Sequence, residues 1–338
     1  MVDTNPILVE ITRGGMVESF HRGAVAVVDN RGGLLASAGD TEMVVFLRSS
    51  AKPMQVIPLI TCGAAEEFGF TLSEIALMCG SHSGEKTHTD AVESILRKIG
   101  LTEKHLKCGV HPPLDAETRR TIKTKGEAYS QLHNNCSAKH AAMLAGCVFR
   151  GYSLEDYSDP DHPWQRGIVS AIAELSGLKP GDIILGIDGC NVPVHAMPLY
   201  NAALAGAKLA RPQGLDENIC RACKSIFRAM VENPYMAAGR ERICTAIMQA
   251  ANGELIAKAG AEGFYLAAYK ENDRGFGIAV KLDDGSQRGR DPAVIETLRQ
   301  LGVLSDETIV KLTKIHHHKI INHAGVIVGE VRPVFKLQ

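Results

Sequence analysis

Short apolar runs separated by turn residues mark both ends of the chain as strand-forming. Residues 7–47 contain the β-rich runs Ile7–Ile11 and Ala24–Val28, and the polar, Gly-rich stretch after the second run favours a turn. The same pattern returns at residues 254–282, and one further strand is predicted at residues 326–331. The simplest arrangement of such runs is a set of antiparallel hairpins.

The middle of the chain has helical periodicity instead. Between residues 71 and 250, apolar stretches begin at Ser, Thr, Asp or Pro and end at Gly or before Pro, which is typical of helix termini. A buried strand is predicted at residues 183–187, followed by a loop to residue 193. The predicted helices are 49–62, 71–80, 87–99, 137–148, 163–175 and 216–231, followed by 292–301 and 306–314.

This order predicts the α+β class, in which the N- and C-terminal strands pair into one antiparallel sheet and the middle forms a helical lobe. We expect one domain over residues 1–338, with a sheet lobe at 1–62 and 254–338 and a mainly helical lobe at 63–253. A site is expected in the cleft between the lobes.

Composition narrows the function classes. The chain has 338 residues, 45% of them hydrophobic, and its 37 basic and 38 acidic residues leave a net charge of -1. This balance favours neither nucleic acid nor an anionic membrane as a partner. We find no secretion signal at residues 1–6 and no apolar run of membrane-spanning length, so the nine cysteines are expected to be reduced thiols in the cytoplasm.

A Ser-x-x-Lys pattern offers the clearest candidate chemistry. Ser49 and Lys52 begin a predicted helix after a strand, which places the hydroxyl at a helix N-terminus and the amine on the same helical face. The pattern also occurs at residues 83–86 and 176–179, where a helix-capping serine is the better interpretation. Position therefore distinguishes the first occurrence.

Two further residues strengthen this interpretation. Ser81 lies in a loop between predicted helices, and Lys258 lies near the end of a late strand. With Ser49 and Lys52 they follow the order of motifs in serine β-lactamases. A lysine can act as a base only when its pKa falls, and two lysines in one cleft would lower each other's pKa.

A second cluster lies at residues 133–140. Cys136 and Lys139 share one face of a predicted helix start, and Asp188 and Cys190 follow the buried strand downstream. Spacing alone leaves a zinc site and an inert structural cysteine equally open. Asp188 is either a ligand-binding carboxylate or a turn residue.

Together these motifs resemble those of the rhizobial-type, or class 3, L-asparaginases of the asparaginase II family. The similarity covers nearly the whole chain. The matching stretches are residues 21–29, 48–55, 79–85, 133–140, 188–193, 258–263 and 328–333.

The resemblance implies a fold similar to serine β-lactamases and glutaminases. It also implies a homodimer that hydrolyses L-asparagine to L-aspartate and ammonia. The residues it assigns are two Ser–Lys tandems, Ser49 with Lys52 and Ser81 with Lys258, and a zinc held by Cys136, Lys139 and Cys190.

We hypothesise that Ser49 attacks the side-chain amide with Lys52 as base, while Ser81 and Lys258 relay the proton. Which serine attacks stays open, because each is paired with a lysine.

Charge suggests the remaining contacts with the substrate: Asp188 for the α-ammonium, and Arg48 or His82 for the α-carboxylate. The sequence leaves two alternative functions open. One is a Ser–Lys hydrolase of another amide such as glutamine, and the other is a zinc-stabilised binding protein without catalysis.

Overall fold

An antiparallel sheet of eight strands dominates residues 5–338, the part of the chain that this computed structural model describes. A second sheet has three strands. Numbered along the chain, the strands are β1 (Ile7–Arg13), β2 (Met16–Asp29), β3 (Leu34–Ala38), β4 (Val44–Phe46), β5 (Ile184–Ile187), β6 (Pro193–Pro198), β7 (Leu255–Ala259), β8 (Phe264–Glu271), β9 (Arg274–Leu282), β10 (Lys319–Ile321) and β11 (Ile327–Pro333).

The large sheet joins the two ends of the chain. Its order is β10-β11-β1-β2-β9-β8-β7, with β3 paired to β2, and all neighbours are antiparallel. Ile11 lies opposite Val331, and Val27 lies opposite Ile278. The predicted α+β class, with early and late strands in one antiparallel sheet, is confirmed. The division into lobes within one domain remains a prediction.

The helices occupy the middle of the chain and its last third. Within residues 5–338 they are α1 (Lys52–Gln55), α2 (Ile57–Thr61), α3 (Ala64–Glu67), α4 (Leu72–Met78), α5 (Lys86–Lys98), α6 (Ala116–Thr124), α7 (Ser137–Arg150), α8 (Pro163–Ser176), α9 (Leu199–Ala210), α10 (Glu217–Glu232), α11 (Pro234–Ala237), α12 (Ile243–Ala250), α13 (Gln287–Gln300), α14 (Asp306–Lys311) and α15 (Thr313–His316). None of them is both long and apolar enough to span a membrane.

Helices cover both faces of the large sheet. Helix α9 packs on β2, β8 and β9 so closely that a Cβ on Gly277 would lie 1.6 Å from the Ala203 carbonyl oxygen. Leu266 points to α9, because its side chain meets Gly206. Its neighbour Tyr265 points the opposite way, beneath the guanidinium of Arg290 on α13, as the alternation of side chains along a strand requires.

The prediction of one helix over residues 49–62 is wrong. The segment is a 3₁₀ turn, Arg48–Ala51, followed by the two short helices α1 and α2. Pro58 lies at the start of α2, and a proline there removes a backbone donor to the preceding turn. Lys52 begins α1, directly after the turn that carries Ser49.

The sequence interpretation also missed two strands. β6 pairs with both β4 and β5 in the small sheet, and β10 pairs with β11. Prolines at both ends of β6 resemble loop signals, but proline is tolerated as the first residue of a strand. The small sheet positions the site, since Arg48 follows β4 closely and Asp188 follows β5 directly.

Candidate active site

The turn after β4 carries the first predicted serine. Arg48 has a positive φ of 48°, a left-handed conformation that costs free energy for a residue with a long side chain. Ser49 follows, half-buried, and within residues 5–338 its Oγ forms no hydrogen bond. Its neighbour Ser50 points inward, and its Oγ donates to the Lys258 carbonyl oxygen at 2.6 Å.

The second predicted serine is fixed by a close backbone contact. Ser81 follows α4 and Gly80, where a Cβ would lie 2.4 Å from the Ala237 carbonyl oxygen, so a side chain at Gly80 would force the two segments apart. The Ser81 N–H donates to that same oxygen at 3.0 Å. The loop therefore holds the Ser81 side chain in one place.

Both predicted lysines converge on Ser81. Lys52 Nζ and Lys258 Nζ each lie 2.9 Å from Ser81 Oγ. Each amine also donates to a carbonyl oxygen, Lys52 to Asn135 and Lys258 to Ala259, both at 2.8 Å. The structure thus joins the four predicted residues differently from two separate tandems: Ser81 bridges the lysines, and Ser49 lies three residues before Lys52.

Burial makes at least one of these amines a potential base. It lowers the pKa of Lys258 to about 7, and the nearby charge of Lys52 acts in the same direction. Burial also lowers the pKa of Lys52, against the attraction of Cys136. A neutral amine can accept the Ser81 hydroxyl proton, which an ammonium cannot do.

The predicted metal ligands lie together beside this network. Lys139 Nζ is 3.0 Å from Cys190 Sγ, and Cys136 and Cys190 lie close enough to share a proton. That hydrogen bond holds the pKa of Cys136 well below its ordinary value, against burial. Burial would lower the pKa of Lys139, but the two cysteine sulfurs raise it overall.

This donor set fits zinc in kind. Two buried sulfurs and an amine nitrogen are ligands that zinc accepts, although the amine must lose its proton to bind. Within residues 5–338 no group of three or more His, Cys, Asp and Glu side chains is arranged to hold a metal, and the predicted set has only two residues of those types.

The predicted substrate contacts divide into two kinds. Arg48 and Asp188 form an ion pair, with Arg48 Nε 3.1 Å and Nη2 3.0 Å from Asp188 Oδ1. His82 is fully buried, and its Nε2 lies 2.9 Å from Ser137 Oγ. Burial, and then the neighbouring His88, hold the pKa of His82 well below its ordinary value. A neutral, buried imidazole is a poor partner for a carboxylate.

Sequence reasoning missed three contributors. The Asn135 carbonyl holds Lys52, Cys244 Sγ accepts the Ala259 N–H at 3.1 Å beside Lys258, and Glu262 Oε1 lies 3.9 Å from Arg48 Nη1. A carbonyl contact has no signature in residue type. Glu262 did lie within a stretch that matched the family, residues 258–263, and could have been singled out there.

Comparison with known proteins agrees with the family suggested by these motifs. Among solved structures the chain is similar to a β-lactamase from Mycobacterium bovis, at 15% identity and a TM-score of 0.44, covering 83% of this chain and 95% of that one. It is also similar to a Bacillus glutaminase, at 13% identity and a TM-score of 0.39, covering 83% and 91%. No curated protein matches the chain. The family model described as L-asparaginase II matches residues 9–333, nearly the whole chain, and the protein therefore belongs to the L-asparaginase II family.

Proposed function

We propose that the protein is an L-asparagine amidohydrolase that releases L-aspartate and ammonia through an acyl-enzyme on Ser49. Family membership supports the coarser statement, hydrolysis of an amide. One observation carries the rest: two buried lysines meet on Ser81 Oγ, and three residues before one of them, Lys52, lies a half-buried serine whose own hydroxyl is free. Such a network can remove a proton from a hydroxyl and return it to a leaving amine.

The first half-reaction forms the acyl-enzyme. Ser49 Oγ bonds to the amide carbon while Lys52, as a neutral amine, takes the hydroxyl proton. The C–N bond then breaks, and the departing nitrogen leaves as ammonia with a proton supplied by the lysines through Ser81. Backbone N–H groups near Ser49 would stabilise the oxyanion.

The second half-reaction restores the enzyme. A water oxygen bonds to the acyl carbon while its proton passes to Lys52, and the bond from that carbon to Ser49 Oγ breaks. The proton then returns to Ser49 as L-aspartate leaves. Lys258 takes part as a second acceptor, since its pKa near 7 allows it to gain or lose a proton at neutral pH.

Arg48 is the better candidate for the substrate α-carboxylate, because His82 is buried and neutral. The Arg48 guanidinium has N–H groups that are not bonded to Asp188. The α-carboxylate of the substrate can accept hydrogen bonds from them. Asp188 would then orient the Arg48 guanidinium through their ion pair.

A zinc at Cys136, Lys139 and Cys190 is part of the proposal. Bound there, it would hold or polarise polar groups of the substrate. Metal analysis of the purified protein tests this, and a Cys136→Ala/Cys190→Ala variant should lose the metal. Retention of full metal by that variant would reject the site. The homodimer implied by the resemblance also remains a prediction, which sedimentation can test.

An ammonia assay tests the function directly. Wild-type protein should release ammonia from L-asparagine faster than from L-glutamine. The Ser49→Ala variant should release almost no ammonia from L-asparagine. Faster release from glutamine would replace the substrate but keep the chemistry. Absence of release from either amide, with unfolding on removal of metal, would favour a zinc-stabilised binding protein instead.

A further inference from the structure

The turn between β7 and β8 carries a carboxylate that the mechanism above leaves unused. The turn is closed by a hydrogen bond from the Phe264 N–H to the Ala261 carbonyl oxygen at 3.2 Å. Its two central residues, Glu262 and Gly263, both have positive φ, 53° and 71°. This combination defines a type I′ turn.

Glutamate at the first central position of such a turn costs conformational free energy. Asn, Asp and Gly are preferred there because they tolerate the left-handed conformation. The hairpin at the opposite end of β8 follows that preference, with Asn272 at a φ of 50°. Strain of this kind at a residue with a long side chain often accompanies a functional requirement.

The turn lies over the candidate nucleophile. A Cβ on Gly260 would be 2.9 Å from the Leu47 carbonyl oxygen and 3.2 Å from Ser50 Oγ, so the backbone of this turn touches the segment on both sides of Ser49. Lys281 Nζ also donates to the Glu262 carbonyl oxygen at 2.5 Å, which fixes the turn from its other side.

The Glu262 carboxylate is available for a ligand. Its side chain is 73% exposed, and the 3.9 Å from Oε1 to Arg48 Nη1 is too long for a hydrogen bond. Asp188 differs, because its Oδ1 already accepts Arg48 Nε, Arg48 Nη2 and the Gly189 N–H. The Asp188 side chain is also only 12% exposed, so of the two carboxylates near Arg48, Glu262 is the more accessible to a ligand.

We propose that Glu262 binds the α-ammonium of the amino-acid substrate while Arg48 binds its α-carboxylate, so that the pair selects amides with a free amino-acid head. The inference rests on the proposed function and adds the residue that recognises the head group. It moves the ammonium contact from Asp188, suggested by charge alone, to Glu262. An amide that lacks the α-ammonium would lose this contact and nothing else.

Two substrates that differ only in the α-ammonium test the proposal. L-asparagine has it, and succinamate, the same molecule without the amino group, lacks it. Glu262→Gln should lower kcat/KM for asparagine by about tenfold, as expected for loss of a charged hydrogen bond, and leave succinamate within about twofold. Asp188→Asn, which loosens Arg48, should reduce both substrates to a similar extent.

A second variant separates recognition from structure. Glu262→Asn removes the carboxylate but suits the type I′ turn, so it should raise the midpoint of thermal unfolding while losing the preference for asparagine. Glu271→Gln, in the hairpin at the other end of β8, is the matched control and should change neither quantity.

The outcomes distinguish two failures. If wild type releases ammonia from asparagine and Glu262→Gln affects both substrates equally, or neither, the assignment of Glu262 is wrong and the proposed function stands. If wild type releases no ammonia from asparagine, the proposed function fails and this inference fails with it.

Discussion

Ser49 and Ser81, the two serines of the proposed site, have opposite surroundings. Ser81 is 7% exposed, held by a backbone contact and bonded to both lysines. Ser49 is half-buried in a turn that begins with a strained arginine, and its hydroxyl is free. A buried hydroxyl between two amines is suited to moving protons, whereas a free hydroxyl beside charged side chains is suited to meeting a substrate. This difference is the reason for proposing that Ser49 attacks and that Ser81 relays the proton.

The largest expected effect separates the two serines. Ser49→Ala removes the nucleophile and should lower kcat for asparagine by at least about 10³-fold. Ser81→Ala leaves the nucleophile but interrupts the bridge between the lysines, and should cost about 10²-fold. Steady-state ammonia release measures both. The reverse order of effects would exchange the roles of the two serines.

Removal of the shared base comes next. Lys52→Met keeps much of the side-chain volume but has no amine, so kcat should fall by about 10²- to 10⁴-fold. Lys86→Met is the matched control, because Lys86 ends another Ser-x-x-Lys pattern but lies exposed and paired with Asp90. Equal activity of the two variants would exclude Lys52 as the base.

The pH profile tests the relay rather than the attack. Because the pKa of Lys258 is about 7, its amine is protonated at lower pH and cannot accept a proton. Ammonia release should therefore rise with pH through about 7 and then level off. Profiles of kcat/KM for wild type and Lys258→Gln provide the test. If kcat/KM of the Lys258→Gln variant still rose with pH through about 7, the assignment of this rise to Lys258 would be contradicted.

The smallest expected effect concerns the serine next to the nucleophile. Ser50 donates to the Lys258 carbonyl oxygen, and the proposed mechanism gives it no chemical role. Ser50→Ala should lower the free energy of unfolding by about 0.5–1.5 kcal/mol, as expected for the loss of one buried hydrogen bond, and change kcat by no more than about twofold. Denaturant unfolding and the ammonia assay measure the two quantities. Loss of activity as large as that of Ser49→Ala would mean that the two neighbouring serines share the role.

The sequence predicted several long helices, such as α5, α7, α8 and α10, because their hydrophobic periodicity is strong, but it did not predict α9. The cap at Thr71 and the helix after Asp216 illustrate this, since both side chains accept backbone N–H groups as expected. It failed at residues 49–62 and at β6, where prolines have opposite effects in helices and strands. The local sequence pattern could not determine the structure of these two segments, because it depends on their packing against distant parts of the chain.

Sequence reasoning proposed residues for the candidate site but not the connections between them. Residue type and order pointed to Ser49, Lys52, Ser81 and Lys258. That both lysines meet on Ser81 depends on how the Gly80 backbone packs on Ala237, which no motif encodes. The left-handed backbone at Glu262 was equally hidden, since glutamate gives no signal for that conformation.

One measurement tests the central claim most directly. Protein quenched in acid during turnover of L-asparagine, then digested and analysed by mass spectrometry, should carry an aspartyl group on the peptide that contains Ser49. Ser81→Ala should still accumulate that adduct, and Ser49→Ala should not. An aspartyl group on Ser81 would contradict the assignment of the nucleophile, and trapped acyl groups on neither serine would contradict the acyl-enzyme mechanism.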